Sequence, residues 1–355
     1  MRVERLNRLD DALLDRLGVA STRFYGAELE RIQLAQRGHG TTGYLVAREA
    51  DGTVLGMTPV YSAVPPWHPT VDPGVIFEPA VPLGGERLFL AGSYGVYANF
   101  LTVAADVPPA RAATVAAALV DEARAMARAE GSGHVLLPYL DGTQAGWLDS
   151  HGYRALAADT RAKAVLPILW DSFDEYVSWL PSQGLRTSVR RERREFLDAG
   201  LVVREERMTE VVGRIAPLLV QTERRHGNDL DVQQVEFHYT LLAMGLREDF
   251  TALVAYADGE PVACSLLLAC GNRWILKAWG CDYATAGGSF LYFNLLFYEP
   301  VGRAASRGIE SIDYGLGGLG AKTRRGCTEQ RLRTILIGAA AQHDGHPCDQ
   351  PEGTP

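Results

Sequence analysis

Two stretches of the chain share a pattern of apolar runs around an Asp-Gly pair. The pair is Asp51-Gly52 within residues 41–63 and Asp258-Gly259 within residues 250–269. Asp-Gly between apolar runs is typical of a tight β-hairpin, because these residues tolerate the positive φ that its turn needs. The pattern therefore predicts one hairpin in each half of the chain.

The order of elements after the two hairpins is also similar. After the first, the pattern predicts a strand at 88–104, a helix at 108–131 and strands at 134–140 and 162–168. After the second, it predicts a strand at 272–283, a helix at 289–308 and a strand at 309–317. Helical periodicity also predicts two short helices within 10–36 and a helical pair within 171–200.

This repeated order predicts an α/β chain of two modules in tandem, each a mixed, mostly antiparallel sheet flanked by helices. We expect the first module at 1–168 and the second at 169–340, opened by an arginine-rich helix. Residues 341–355 are polar with Gly and Pro, which indicates a disordered tail.

Composition and charge exclude several classes of protein. A formal net charge of −8 argues against a surface that binds polyanions generally, so no DNA partner is expected. The five cysteines include no C-x-x-C pair and predict neither a disulfide framework nor a metal site. The charged amino-terminal segment and the short apolar runs predict a cytoplasmic protein with no membrane partner.

Several motifs carry a family resemblance. The hairpin, strand, helix, strand order, closed by Leu148, Gly152 and Tyr153 in L-x-x-x-G-Y, resembles the GCN5-related N-acetyltransferase (GNAT) fold. Within residues 172–335, the segments LRTSVRRERREFLDAG, YFNLLFYEPVGRAASRGIESIDYGLG and AKTRRGC together resemble the second module of Fem-type aminoacyltransferases. The first module resembles that group only in the order of its elements.

The resemblance implies two GNAT modules that face each other across a cleft. It implies an N-acyltransferase that moves an aminoacyl group from aminoacyl-tRNA to an amine of a small metabolite or peptide, with tRNA as partner and no tightly bound cofactor. Two alternatives stay open, namely an acyltransferase that uses acyl-CoA and a non-catalytic module that binds tRNA or a protein. The chain departs from the Fem pattern in its acidic charge and in lacking a long coiled-coil arm.

The predicted helix 183–198 has one apolar and one cationic face. Leu185, Val189 and Phe196 share the apolar face. The cationic face consists of Arg186, Arg190, Arg193 and Arg194. This face is either a solvated surface neutralised by nearby glutamates or a surface that contacts the phosphates of the donor, since arginine forks suit phosphate oxygens.

A second candidate for donor binding is the loop before the helix at 289–308. GNAT enzymes hold the pyrophosphate of coenzyme A on backbone N–H groups of an equivalent loop. Gly287, Gly288 and Ser289 could form such an anion site or merely cap the helix. In the first module, Pro108 and Pro109 lack N–H groups, which argues against phosphate binding there.

Candidate catalytic residues lie late in the chain. Lys322, with Arg324 and Arg325, follows a glycine-rich segment, and the Fem-type group has a lysine in a similar position. A cation there would stabilise the oxyanion of acyl transfer, unless the segment is only a surface loop. Asp282 and Asp313 end predicted strands and are candidates for accepting the proton of the amine, or else are structural caps or ion-pair partners.

Aromatic and amide side chains are candidates for binding the acceptor. In the first module these are Tyr94, Tyr97 and Asn99, and in the second they are Tyr283 and Tyr314. Aromatic residues at this spacing also occur in cores, so a purely structural role is the alternative.

Overall fold

The computed structural model describes residues 1–19, 42–63, 71–77, 81, 83, 87–93, 96–284 and 290–340. The described strands pair into one mixed sheet with helices on both faces, so the predicted α/β class is confirmed. The predicted tail 341–355 and the second short helix expected before residue 36 lie outside the described residues. No helix in the described ranges is long and apolar enough to cross a bilayer.

The described residues form thirteen strands of the sheet. They are β1 (Arg2–Leu6), β2 (Thr42–Arg48), β3 (Val54–Ala63), β4 (Leu88–Ala91), β5 (Thr102–Val103), β6 (His134–Leu140), β7 (Ala157–Pro167), β8 (Val202–Arg207), β9 (Phe250–Ala257), β10 (Glu260–Cys270), β11 (Arg273–Cys281), β12 (Ser311–Leu316) and β13 (Thr328–Gly338).

The helices, short 3-10 turns apart, are α1 (Asp11–Arg16), α2 (Pro73–Ile76), α3 (Pro109–Ala129), α4 (Gly142–Ser150), α5 (Phe173–Trp179), α6 (Gln183–Asp198), α7 (Met208–Arg225), α8 (Val232–Leu246), α9 (residues 291–304) and α10 (Leu319–Thr323). The composite helix α9 contains a π-helical segment over Asn294–Tyr298, between α-helical segments. Such π-helical segments are uncommon and occur often at functional sites.

The sheet has the same arrangement when read from either edge. Its order is β1-β2-β3-β4-β6-β13-β7-β12-β11-β10-β9-β8, with β5 paired to β3. The hairpins β2–β3 and β9–β10 both occupy the second and third positions from an edge, and the parallel pairs β4–β6 and β11–β12 also correspond. The prediction that both halves repeat one arrangement of strands is therefore confirmed.

The two halves exchange their last strands. Strand β7 ends the first half but hydrogen-bonds to β12 and β13, whereas β13 ends the second half but hydrogen-bonds to β6 and β7. Ile335 and Ile337 of β13 accordingly pack into the first-half core under α3. The sheet is therefore continuous across the predicted boundary near residue 168.

Alternating side chains direct the strands of the second half toward two helical layers. On one face, Val189 and Phe196 of α6 pack with Phe297 of α9 and Ile312 of β12. On the opposite face, α7 and α8 cover β9, β10 and β11. Gly280 of β11 allows α7 to approach closely, because a Cβ there would lie 2.7 Å from the Leu219 nitrogen.

Two predictions of strands need correction. The strand expected at 88–104 is broken after Ala91, where Gly92 has a φ of +127° that other residues rarely adopt. Strand β13 was not predicted, since the last recognisable strand in the sequence pattern is β12. The predicted helix 183–198 and strand 134–140 are confirmed at their stated bounds.

Candidate active site

Strands β11 and β12 separate soon after they pair. Their parallel register runs from Arg273–Ser311 to Ile275–Asp313. Beyond it, the register of β11 with β10 skips Lys277, which forms a bulge, while β12 pairs at Leu316 with Lys163 of β7. Bulges bend a strand and re-aim its side chains, so this one contributes to the opening between β11 and β12.

A cavity of about 270 Å³ lies at this opening. The second half contributes apolar side chains to its wall, and the first half contributes Tyr97, which is 39% exposed. Asp313 and Lys277 add charged groups to the lining. Residues from both halves therefore meet at one cavity, which is the arrangement that the predicted cleft requires.

Asp313 forms a buried ion pair at the cavity. Its Oδ2 atom lies 2.8 Å from the Lys163 ammonium, and its Oδ1 atom accepts a hydrogen bond from the Gly315 N–H at 2.9 Å. Both side chains are less than 10% exposed. The sequence pattern indicates Asp313 but not Lys163 or Lys277, because a single lysine within a strand has no distinguishing spacing.

Lys322 hydrogen-bonds to the backbone at the end of β12. Gly315, Gly317 and Gly318 all have positive φ, so the chain curls back after the strand and its carbonyl groups converge. The Lys322 ammonium donates to the Tyr314, Gly315 and Leu316 oxygens at 2.7, 3.4 and 3.0 Å. Burial lowers the pKa of Lys322 below its ordinary value. The catalytic role of Lys322 stays a prediction, and the three carbonyl groups give it a structural role as well.

Arg325 belongs to a buried network rather than to an exposed cluster. Its guanidinium donates to Glu192 of α6 at 2.8 Å and to the Tyr298 hydroxyl at 3.2 Å, and it stacks on Phe293 with its carbon 3.2 Å from the ring centre. This network ties the segment after β12 to α6 and α9. Glu192 is one of the glutamates near the cationic face of this helix, but it is only 8% exposed and does not belong to a solvated surface.

The predicted arginines of α6 divide into two groups. Arg193 is held inside, pairing with Glu299 at 2.7 Å and donating to Asn294 at 3.1 Å, and Arg186 donates to the Leu180 oxygen. Arg190 and Arg194 are exposed, as is Arg324 after α10, and these three form no ion pair with any described residue. They are the predicted cations that remain accessible for phosphate.

In the first half, the opening between the parallel strands is bridged by Asn99. Its amide nitrogen donates to the Ala91 oxygen at the end of β4 and to the Pro138 oxygen of β6, at 3.2 and 2.7 Å. Its side-chain oxygen accepts from the Leu101 N–H at 2.7 Å. The polar atoms of Asn99 are therefore occupied by backbone, which gives this predicted acceptor contact a structural role.

Among the other predicted site residues, Tyr314 borders this cavity, and the rest lie away from it or outside the described part of the chain. Asp282 is seven residues along β11 from Ile275, the partner of Asp313, which corresponds to roughly 23 Å. Tyr283 hydrogen-bonds to Thr222 and packs under Arg225. Tyr314 stacks on Phe297 in the core, and burial raises the pKa of its phenol well above 10.0. Tyr94, Gly287, Gly288 and Ser289 lie outside the described residues.

Comparisons with known proteins agree with this architecture. FemX aligns over 93% of this chain and 96% of its own, with a TM-score of 0.61 and 13% identity. A tandem GNAT protein from the clavulanic acid biosynthesis pathway aligns over 96% and 99%, with a TM-score of 0.50 and 12% identity. L-PGS from Bacillus licheniformis aligns over 93% and 92%, with a TM-score of 0.50 and 11% identity. At these identities the likeness concerns the fold.

The family of the chain is shown by a match of its sequence to a family model. A search among curated proteins finds no significant match. The FemAB-like family model, described as peptidoglycan biosynthesis/recognition, matches residues 102–338. This match covers well over half of the chain and extends across both halves of the sheet. The chain therefore belongs to the FemAB-like family, and its fold is similar to that of FemX and of a tandem GNAT protein.

Proposed function

We propose that this chain is an N-acyltransferase that moves an aminoacyl group from aminoacyl-tRNA to the amine of a small metabolite or peptide. The observation that carries the proposal is the cavity between β11 and β12, which Tyr97 of the first half and Asp313 of the second both line. In a FemAB-like chain, such a cavity is suited to bring a donor and an acceptor together.

The reaction needs one bond formed and one broken. The neutral amine of the acceptor attacks the ester carbonyl of the aminoacyl-tRNA, and a tetrahedral oxyanion forms. The C–O bond to the ribose then breaks, the ribose hydroxyl leaves with a proton, and an amide remains. The protein has to hold both groups in line, remove the amine proton and stabilise the oxyanion.

We assign to the Asp313 carboxylate the role of accepting the proton of the attacking amine. Asp313 lines the cavity, whereas Asp282 lies roughly 23 Å along the sheet at about 3.3 Å per residue. The Lys163 ammonium at 2.8 Å holds the Asp313 carboxylate in position. Lys322 keeps the curl after β12 in place, which fixes the backbone that follows Asp313.

Three exposed arginines support a tRNA donor. Arg190 and Arg194 stand on α6, and Arg324 follows α10, the helix joined to α6 through the contact between Arg325 and Glu192. Arginine forks bind phosphate oxygens well, because their planar donors match the geometry of phosphate.

The deciding experiment is an amide-forming assay with a radiolabelled aminoacyl-tRNA mixture and a panel of amines. The panel includes peptide amines of cell-wall precursors, because the description of the family refers to peptidoglycan biosynthesis. We expect a labelled amide product that disappears when the tRNA is digested with ribonuclease first. A product made from acyl-CoA and insensitive to ribonuclease would favour the coenzyme alternative, and tRNA binding without product would favour a non-catalytic module.

Replacing Asp313 tests its role. We expect Asp313→Asn to lower kcat by roughly 10² to 10⁴, the range for a lost general base, and Asp282→Asn as the control to leave it unchanged. Asp313→Asn leaves Lys163 buried without a charged partner, so it also destabilises the fold. The double variant Asp313→Asn with Lys163→Met removes that charge. Full activity in this double variant would exclude Asp313 from proton transfer.

A further inference from the structure

The lining of the cavity combines a few polar side chains with a mainly apolar wall. The polar side chains among the lining residues are those of Tyr97, Lys277, Asp313 and Tyr314. The remaining wall is formed mainly by aliphatic and aromatic side chains, which are Leu242, Leu246, Phe250, Leu268, Ile275 and Leu276. Such a division is typical of pockets that hold an apolar group while a few polar atoms fix its orientation.

We infer that this cavity binds the apolar side chain of an α-amino compound, and that the chain therefore selects substrates with a leucine-like or phenylalanine-like group. The inference rests on the proposed function, because it assigns a side-chain preference to that same site. The apolar side chain belongs either to the aminoacyl group of the donor or to the acceptor amine, since both carry a side chain next to the reacting atoms.

The chemistry of the wall supports this selection. The side chains of Leu246, Phe250 and Leu268 are at most 6% exposed and carry no hydrogen-bonding atoms. A polar or charged substituent would lose its water there without gaining a partner, and would bind poorly. Each methylene group removed from water gains about fourfold in affinity, so longer apolar side chains should bind progressively better until the volume is filled.

The position of the cavity supports a role in substrate selection. It lies where β11 and β12 separate and is bordered by Asp313, the residue assigned to the proton of the attacking amine. An apolar group anchored against Leu246 would leave its α-carbon and reacting atoms near the Asp313 carboxylate. Misfit in the cavity would displace those atoms, so selection would act on turnover as well as on binding.

Equilibrium binding tests the inference without requiring turnover. One arm uses stable adenosine analogues that carry an amide-linked glycyl, alanyl, leucyl, phenylalanyl or aspartyl group at the 3′ position, as models of the donor. The other arm uses the amides of the same five amino acids, as models of the acceptor. Isothermal titration gives the affinity of each probe for the full-length protein.

We expect one of the two arms to show a steep gradient, with the leucyl probe binding about 50-fold more tightly than the alanyl probe and the aspartyl probe binding most weakly. The arm that shows the gradient identifies the source of the side chain. Equal affinities across both arms would overturn the inference, even if the protein forms amides from aminoacyl-tRNA. A steep gradient without any amide formation would instead count against the proposed function alone.

Variants of α8 connect the gradient to this cavity. Leu246 lines the cavity and is 4% exposed, whereas Met244, two residues away on the same helix, is 65% exposed. We expect Leu246→Trp to remove the gradient and Met244→Trp, the matched control, to retain it. If Leu246→Trp does not fold, Leu246→Ala enlarges the cavity and should shift the preference from leucyl toward phenylalanyl. A gradient that neither change at Leu246 alters would place the selecting group elsewhere.

Discussion

Lys322 illustrates how far a residue type alone defines a role. Its late position after a glycine-rich segment suggests an oxyanion-stabilising cation, and such a donor contributes through interactions made in the transition state. In the folded chain its ammonium has three backbone carbonyl partners, each within 3.4 Å. Removing it would leave one buried and two half-buried carbonyl groups without that donor.

We expect Lys322→Ala to lower the free energy of unfolding by at least about 2 kcal/mol, because each buried acceptor left without a donor costs about 1–3 kcal/mol. Lys322→Arg should recover little of this stability, since a planar guanidinium does not match three converging carbonyls. Denaturant unfolding and kcat are measured on the same preparations. Normal stability combined with a kcat lowered by roughly 10² to 10³ would instead support direct oxyanion stabilisation.

At the level of elements, Asn99 determines how the first half differs from the second. It bridges β4 and β6 through two carbonyl groups, and Gly92 makes room for it, since a Cβ there would lie 2.0 Å from the Asn99 amide nitrogen. Gln144 of α4 donates to the Asn99 and Leu101 carbonyls, at 3.1 and 2.8 Å. The break in the predicted strand 88–104 therefore allows the Asn99 side chain to pack between β4 and β6.

We expect Asn99→Ala to destabilise the fold by roughly 3 kcal/mol, because the carbonyls of Ala91 and Pro138 lose a buried donor and Leu101 loses an acceptor. Gly92→Ala should be similarly destabilising, because its φ and the close Asn99 amide both exclude a Cβ. Asn228→Ala is the control, since Asn228 is exposed and bonds to Glu223 on the surface. A loss below about 0.5 kcal/mol for Asn99→Ala would contradict the bridging role.

Helix α6 shows what the sequence pattern predicts well. Its bounds follow from local signals, since Ser182 caps the first turn by accepting from Leu185 and Gly200 follows the last turn with positive φ. Its cationic face was less predictable. Arg193 and Glu192 are held by α9 and by Arg325, which lie about 100 or more residues further along the chain. Helical periodicity carries no information about such distant partners.

Strand β13 and the ion pair of Asp313 were missed for a related reason. The pattern TEQRLRTILIG has a polar start that resembles a loop, and its place between β6 and β7 depends on a register with both halves. Lys163 likewise gains its partner only when β7 lies beside β12. The order of elements within each half could be predicted from the sequence, whereas the exchange between halves depends on tertiary pairing.

At the level of the whole molecule, the exchange of β7 and β13 predicts that neither half folds alone. In residues 1–168 alone, β6 and β7 would lack β13, the strand that lies between them and pairs with both. In residues 169–340 alone, β12 and β13 would lack β7, the strand that lies between them. We expect each half expressed separately to lack a cooperative unfolding transition. Mixing the halves should restore it, which near-ultraviolet circular dichroism can follow. A cooperative transition in either isolated half would contradict this dependence.

The distribution of accessible arginines leads to a test of tRNA binding by the whole molecule. Arg190, Arg194 and Arg324 are exposed without an ion-pair partner among the described residues, while Arg193 and Arg325 are held internally. If the three exposed arginines contact phosphates, replacing all three with Ala should weaken tRNA binding. It should also reduce the slope of log K against log salt by about three, because each lost contact removes about one released counterion. The control replaces Arg207 and Arg214, whose exposed side chains pair with Glu248 and Glu260. We expect this control to leave the slope unchanged, and a change of about two in the control, one for each charge removed, would indicate that only overall charge matters.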